Sequence, residues 1–377
     1  MIYLDHNASS PLRPEVLQGM IPYFGERYGN PSSVHAAGRA CRQGVDEARR
    51  RLAEQLAVHE SQIIFTSGGT EANNLALYGQ AARHLFQGHI LLSAVEHPSV
   101  LQCAERLRRH GIELGRIPVD SAGVVQLDEL QAQLRSNTIL VAVMQANNET
   151  GVVQPVEAIA RICRLRGIPL LCDAVQSFAK MEIPFNDWQL SLLSLSAHKF
   201  GGPKGIGALV VDKPLAVEPL LSGGGQERGR RSGTENVPGI VGFALAAALA
   251  GAERPQRVRQ WQEWQKQCEQ RLQEAIPEIQ IAGQAAERLA NTTALLIPGV
   301  HGETLVMSLD LEGIAISSGS ACASGRSRPS SVLLEMGFDP ELATSMVRIS
   351  MGWNTTEEEM ERFTESLIKG IKRLLHW

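Results

Sequence analysis

The segment Leu190-Ser191-Leu192-Leu193-Ser194-Leu195-Ser196-Ala197-His198-Lys199 decides the fold class of this 377-residue chain. It opens as a short apolar run, closes on polar ligand-type side chains, and leads into the turn Gly201-Gly202-Pro203-Lys204-Gly205. Comparable apolar runs occur at Ile63–Thr66, Ile90–Val95, Ile139–Met144, Ile168–Cys172 and Gly207–Val211. Helical patterns lie between several of them. Val45, Ala48, Leu52 and Leu56 recur at three- and four-residue steps, as do Val100, Ala104 and Leu107 before Gly111. Pro155 opens a further helix carrying Val156, Ile159, Ala160 and Cys163, and Gly167 ends it. Continuous apolar strands alternating with helices predict an α/β fold, a mostly parallel sheet covered on both faces. Ligands of such sheets bind beyond the carboxyl ends of the strands, where Asp173 and Lys199 fall.

After about residue 255 the texture changes. Val258, Trp261, Cys268 and Leu272 form a stripe on a polar helix, followed by a strand-like Thr293–Ile297, a helix-like Glu303–Leu311 and a charged final helix, Thr356–Leu375. We therefore expect a large ligand-binding domain over residues 13–257 and a smaller α+β domain formed by residues 1–12 and 258–377. A net charge of −4 speaks against nucleic acid as a main partner. The most apolar helix-like piece, Ile240–Leu249, is too short for a membrane span and reads as a core helix. The first residues show no basic and apolar leader pattern, so a cytoplasmic location is expected. The six cysteines show no paired spacing that would indicate a metal site. Cys41, Cys103, Cys163, Cys172 and Cys268 read as small packing residues. Cys322 differs, because Ser317-Ser318-Gly319-Ser320-Ala321-Cys322-Ala323-Ser324-Gly325 has no apolar period and reads as an exposed loop carrying a reactive thiol.

A lysine is a useful catalyst when its amine is desolvated and aimed, for instance at an aldehyde cofactor. Lys199 at one strand end and Asp173 at another suit pyridoxal 5'-phosphate (PLP), the lysine holding the aldehyde and the acid keeping the ring nitrogen protonated. The turn Ser67-Gly68-Gly69-Thr70 joins a strand to a helix and offers backbone N–H groups to a phosphate, to which Thr70, Ser196 and His198 can add. His97, Asn148 and Gln176 follow other strand ends and would face the same crevice.

These residues resemble the cysteine desulfurases, within the class V aminotransferase group of fold-type I PLP enzymes. The likeness runs through Tyr3–Ala8, Gly29–His35, Thr66–Glu71, Asn147–Val153, Asp173–Ser177, Ser196–Lys199, Gly223–Thr234, Ser317–Cys322 and Val347–Ser350. The cysteine segment looks like that of the group I, iron–sulfur-cluster-assembly and nitrogen-fixation type. The resemblance implies a mostly parallel seven-stranded sheet in the large domain. It also implies a homodimeric transferase that converts L-cysteine to L-alanine, leaving a persulfide on Cys322 for a sulfur-acceptor or iron–sulfur scaffold protein. In it Lys199 would hold the cofactor and move protons, Asp173 pair with the ring nitrogen, His97 stack on the ring, and Gln176 meet the phenolic oxygen. Gly69, Thr70, Ser196 and His198 would hold the phosphate, with Thr234 reaching in from the other subunit. Asn148 and Arg348 would bind the substrate carboxylate, Arg348 as a bidentate fork.

Two departures stand out. Ser9-Ser10 replaces a threonine pair, and Arg326-Ser327-Arg328-Pro329 follows the cysteine where relatives often carry an acid. Those arginines would favour the thiolate or dock an acidic acceptor. The competing readings are a selenocysteine lyase, another fold-type I enzyme, or a non-catalytic sulfur-carrier scaffold.

Overall fold

The computed structural model describes residues 1–319 and 329–375. Its strands are β1 (Ile2–Tyr3), β2 (Ile63–Thr66), β3 (His89–Ser93), β4 (Glu113–Ile117), β5 (Thr138–Met144), β6 (Leu170–Asp173), β7 (Leu192–Ser196), β8 (Gly207–Val211), β9 (Gln280–Ile281), β10 (Thr292–Leu296), β11 (Ile314–Ala315) and β12 (Val347–Ser350). Seven of them form one sheet in the order β2-β8-β7-β6-β5-β3-β4. Only β8 runs against its neighbours β2 and β7; the other pairs are parallel. The expected mostly parallel seven-stranded sheet is therefore present. Its edge strand β4 escaped the sequence reading because Glu-Leu-Gly-Arg-Ile is half exposed and carries no apolar run.

The helices are α1 (Pro14–Met20), α2 (Ala36–Gln55), α3 (Gly69–Arg83), α4 (Pro98–Arg108), α5 (Leu127–Gln133), α6 (Val156–Leu165) and α7 (Val237–Ala275), followed by short ones and a final helix Glu357–Leu374. Successive strand side chains feed opposite cores, as a period of two requires. Ile63, Phe65, Leu193 and Leu195 join one core with Val45 and Leu52 of α2 and Phe243 of α7. Ile64, Leu192 and Leu209 join the other with Leu75 and Leu77 of α3 and Val100 of α4. That double coverage is why these strands read as unbroken apolar runs. A separate core collects Ile2 and Leu4 from the N-terminus with Trp261, Leu272, Leu295, Ile349 and Phe363.

The helices expected near 240–249 and 258–272 are one 39-residue helix, with Pro255 inside it. A proline removes one hydrogen bond and crowds the preceding turn, yet α7 continues because its first half is buried in the sheet core and its second in the small core. By length and composition α7 could cross a membrane; half of its most apolar window is buried inside the fold.

Candidate active site

Three strand ends and one helix start converge. Asp173 closes β6 and is nearly fully buried. Its Oδ1 accepts the Val175 N–H at 2.9 Å and its Oδ2 accepts Asn73 Nδ2 at 2.7 Å. Asn73 Nδ2 also reaches Ser99 Oγ at 2.9 Å, and Ser99 Oγ lies 2.8 Å from His97 Nδ1. His97 caps α4, accepting the Ser99 N–H on Nδ1 at 3.1 Å. An N–H can only donate, so Nδ1 is the acceptor and the neutral ring carries its proton on Nε2. Burial holds the His97 pKa below the ordinary range, against the pull of Asp173 and with a push from Lys199.

Lys199 sits in the helical turn Ala197–Lys199 that ends β7. Its Nζ donates to the Asn7 carbonyl at 2.6 Å and the Ala8 carbonyl at 3.0 Å. The N-terminal segment also pins the turn from outside, with Ser10 N–H on the His198 carbonyl at 2.7 Å and Ser10 Oγ on the Lys199 carbonyl at 3.1 Å. His198 Nδ1 lies 3.3 Å from Ser9 Oγ. Burial and the neighbouring Lys199 and Lys204 push its pKa down to about 4.

Helix α3 begins at Gly69 with no side chain capping it, so its first N–H groups are available to an anion. Gly68 has φ +155°, and a Cβ on Gly69 would lie 2.6 Å from Val175 Cγ2 and 3.5 Å from Ser196 Cβ. Only glycine leaves this cradle open. Thr70 is the next residue of the helix, and Ser196 lies against the cradle.

On the far side, Arg348 of β12 is buried. Its Nη2 donates to Asp5 Oδ1 at 2.6 Å and its Nη1 to the Asn148 carbonyl at 3.0 Å, while its Nε has no partner among the described residues. Both fork ends expected to take a substrate carboxylate thus already hold an intramolecular partner. Gln176 Nε2 donates to the Asn7 carbonyl at 2.9 Å. Thr234 is exposed and lines a cleft of about 160 Å³ with Ser67, Gly205 and Arg231. Cys322, Arg326 and Arg328 lie outside the described residues. The flanks of that stretch meet the Arg348 region: Ser317 pairs backbone to backbone with Arg348, and Ser330 Oγ bonds Glu149, next to Asn148.

The sequence reading missed Asn73, Ser99, Asn7 and Lys180, which join these groups, and Glu96, whose buried carboxyl is pushed up to about 8 by burial and by Asp173. Asn73 stands one helical turn after Gly69, a polar residue on a buried face, which is the signal that could have found it. The donor set fits PLP: a buried acid, an amine, a neutral imidazole and an uncapped helix start that a Cβ would block. Asn73 Oδ1, buried without a partner among the described residues, remains beside the acid.

The Aminotransferase class-V family model matches residues 2–363, and the chain belongs to that family of PLP-dependent enzymes. Within it, the chain is 39% identical over 374 residues to "Cysteine desulfurase IscS" of Dictyoglomus turgidum, covering 99% of this chain and 95% of the relative. A solved "NIFS-LIKE PROTEIN" superposes with a TM-score of 0.92 at 35% identity, covering 98% of each chain. A structure described as "SspA in complex with cysteine" aligns with a TM-score of 0.81 at 32% identity, over 93% of this chain and 99% of that one.

Proposed function

We infer that the protein is a PLP-dependent cysteine desulfurase: it takes the sulfur of L-cysteine onto an enzyme thiol and releases L-alanine. The observation that carries this reading is the lock Asp173–Asn73–Ser99–His97 beside Lys199 and the uncapped start of α3. Bound PLP supplies an electron sink at its protonated ring nitrogen. Asp173, held on both oxygens, keeps that proton in place. Lys199 Nζ would hold the cofactor and move protons at the substrate α-carbon. His97, with its proton on Nε2, would face the ring. Gly69, Thr70, Ser196 and His198 would hold the phosphate, and Gln176 the phenolic oxygen. Arg348 and Asn148 would take the substrate carboxylate, Arg348 exchanging its Asp5 partner for it.

Cys322 is the sulfur acceptor. Its thiolate attacks the substrate sulfur, an S–S bond forms, the Cβ–S bond breaks, and the former Cβ carbon takes a proton to become the alanine methyl. Cysteine plus enzyme thiol gives alanine plus enzyme persulfide, with no outside oxidant. The chain leaves and re-enters the described structure beside Arg348 and Asn148, which supports this assignment. Arg326 and Arg328 favour the thiolate or dock an acidic acceptor.

The persulfide supplies iron–sulfur clusters or thio-cofactors through an acceptor or scaffold protein, and the enzyme works as a cytoplasmic homodimer. Five buried free cysteines suit a reducing compartment. Exposed Thr234, beside an open cleft, suits a residue completing the partner's phosphate site. Mass spectrometry after exposure of the holoenzyme to L-cysteine tests the mechanism. A persulfide confined to Cys322 and lost in Cys322→Ala is expected; a persulfide elsewhere, or sulfide release undiminished in that variant, overturns it.

A further inference from the structure

A second lysine is sealed inside this site. Lys180, seven residues past Asp173, is buried, and its Nζ donates to Asn7 Oδ1 at 2.9 Å and to Gln176 Oε1 at 3.1 Å. Each of those two amides is held at its other end by a backbone carbonyl. Gln176 Nε2 donates to the Asn7 carbonyl at 2.9 Å, and Asn7 Nδ2 to the Asn148 carbonyl at 3.3 Å and to Thr292 Oγ1 at 2.9 Å. A carbonyl only accepts and a lysine amine here only donates. Both amides therefore have one permitted orientation, with oxygen toward Lys180 and nitrogen away from it.

We propose that Lys180 is a positioning residue that fixes the polarity of the Gln176 and Asn7 amides, so that Gln176 can meet the cofactor's phenolic oxygen only as a hydrogen-bond donor. The proposal rests on the PLP reading of the site. Lys180 directs both of these donations to the two amide oxygens. Lys199, Arg348 and His6 lie close by, and Arg13, Glu253, Arg254 and Arg257 line the adjoining cleft. Burial, then Lys199 and Arg348, hold the Lys180 pKa well below the ordinary lysine value. The same relay reaches the substrate side, since the Asn148 carbonyl that takes Asn7 Nδ2 also takes Arg348 Nη1. Lys180 thus orients groups on both the ring side and the carboxylate side without touching either ligand.

A donor to the phenolic oxygen favours its ionised form. Absorbance titration of the PLP-loaded holoenzyme reads that ionisation directly. The test is a double-mutant cycle on Lys180→Met and Gln176→Leu. Each single variant is expected to raise the chromophore's apparent pKa by about one unit, and the double variant no further than either. An unshifted Lys180→Met, or shifts that add in the double variant, would overturn the proposal, because a lysine that only fills space does not act through Gln176. If Lys180→Met does not fold, Lys180→Gln carries the same readout: an unflipped Gln176 and an unchanged chromophore support the proposal only if Lys180→Ala, in the same titration, shifts it. An unsubstituted protein that leaves the absorbance spectrum of added PLP unchanged overturns the functional reading itself, whereas failure of the cycle alone leaves that reading standing.

Discussion

Glu96 stands one residue before His97 with its carboxyl fully buried. Oε1 accepts the Met144 N–H at 2.5 Å, at the register partner of Asp173. Burial first, and Asp173 second, push its pKa from an ordinary 4.5 up to about 8. The folded protein therefore keeps a proton that the unfolded chain releases near pH 4.5. A raised folded value gives stabilisation that is complete below pH 4.5 and is lost as the pH climbs to 8, at about 1.4 kcal/mol per unit. Between pH 5.5 and pH 8 that amounts to about 3 kcal/mol. Glutamine has the shape of the neutral acid and does not titrate. The unfolding free energy of Glu96→Gln should therefore gain about 3 kcal/mol on the native protein across that interval and run parallel to it above pH 8. Urea unfolding at half-unit steps of pH measures the difference. A difference that stays constant from pH 5.5 to 8 would refute the reasoning, because it would mean that Glu96 is already ionised in the fold.

Removing the amide that locks the acid, in Asn73→Ala, should weaken PLP binding about tenfold, the worth of one charge-assisted hydrogen bond; spectrophotometric titration of the apoprotein checks it. Gly69→Ala places a methyl 2.6 Å from Val175 Cγ2, so it should cost about 1–3 kcal/mol of stability and weaken phosphate binding as well, seen by denaturation and by titration with PLP. Arg49 forks onto Glu227 at 2.6 and 2.9 Å, and both side chains are buried. Arg49→Met strands that carboxylate, and unfolding measurements should show a loss of about 3–5 kcal/mol.

The sheet was legible because its strands are covered on both faces. Ile63–Thr66, Leu190–Leu195 and Gly207–Val211 announce themselves as apolar runs, and each lies within two residues of an observed strand. β4 was not, since an edge strand with one buried residue has no such run. The helix α7 was read as two because a proline weighs against helix locally, and the packing that carries the helix through Pro255 is tertiary. Three groups of the candidate site were legible for a related reason: Asp173, His97 and Lys199 punctuate strand ends. Asn73, Ser99 and Lys180 sit inside helix and turn patterns, and nothing local separates a polar residue that locks a neighbour from one that faces water.

The N-terminal residues join the Lys199 turn to the Arg348 strand. Asp5 bridges to Ser350 and pairs with Arg348, while Asn7 takes Lys199, Gln176 and Lys180 on its oxygens and gives its amide to the Asn148 carbonyl. Leu4, two positions earlier than His6, is anchored in the small core with Ile349. Displacing this segment would therefore move the lysine turn and the arginine fork together. Lys199 at the end of a strand of the large sheet and Arg348 on a strand of the small one are held in register by a strand too short to stand out in the sequence.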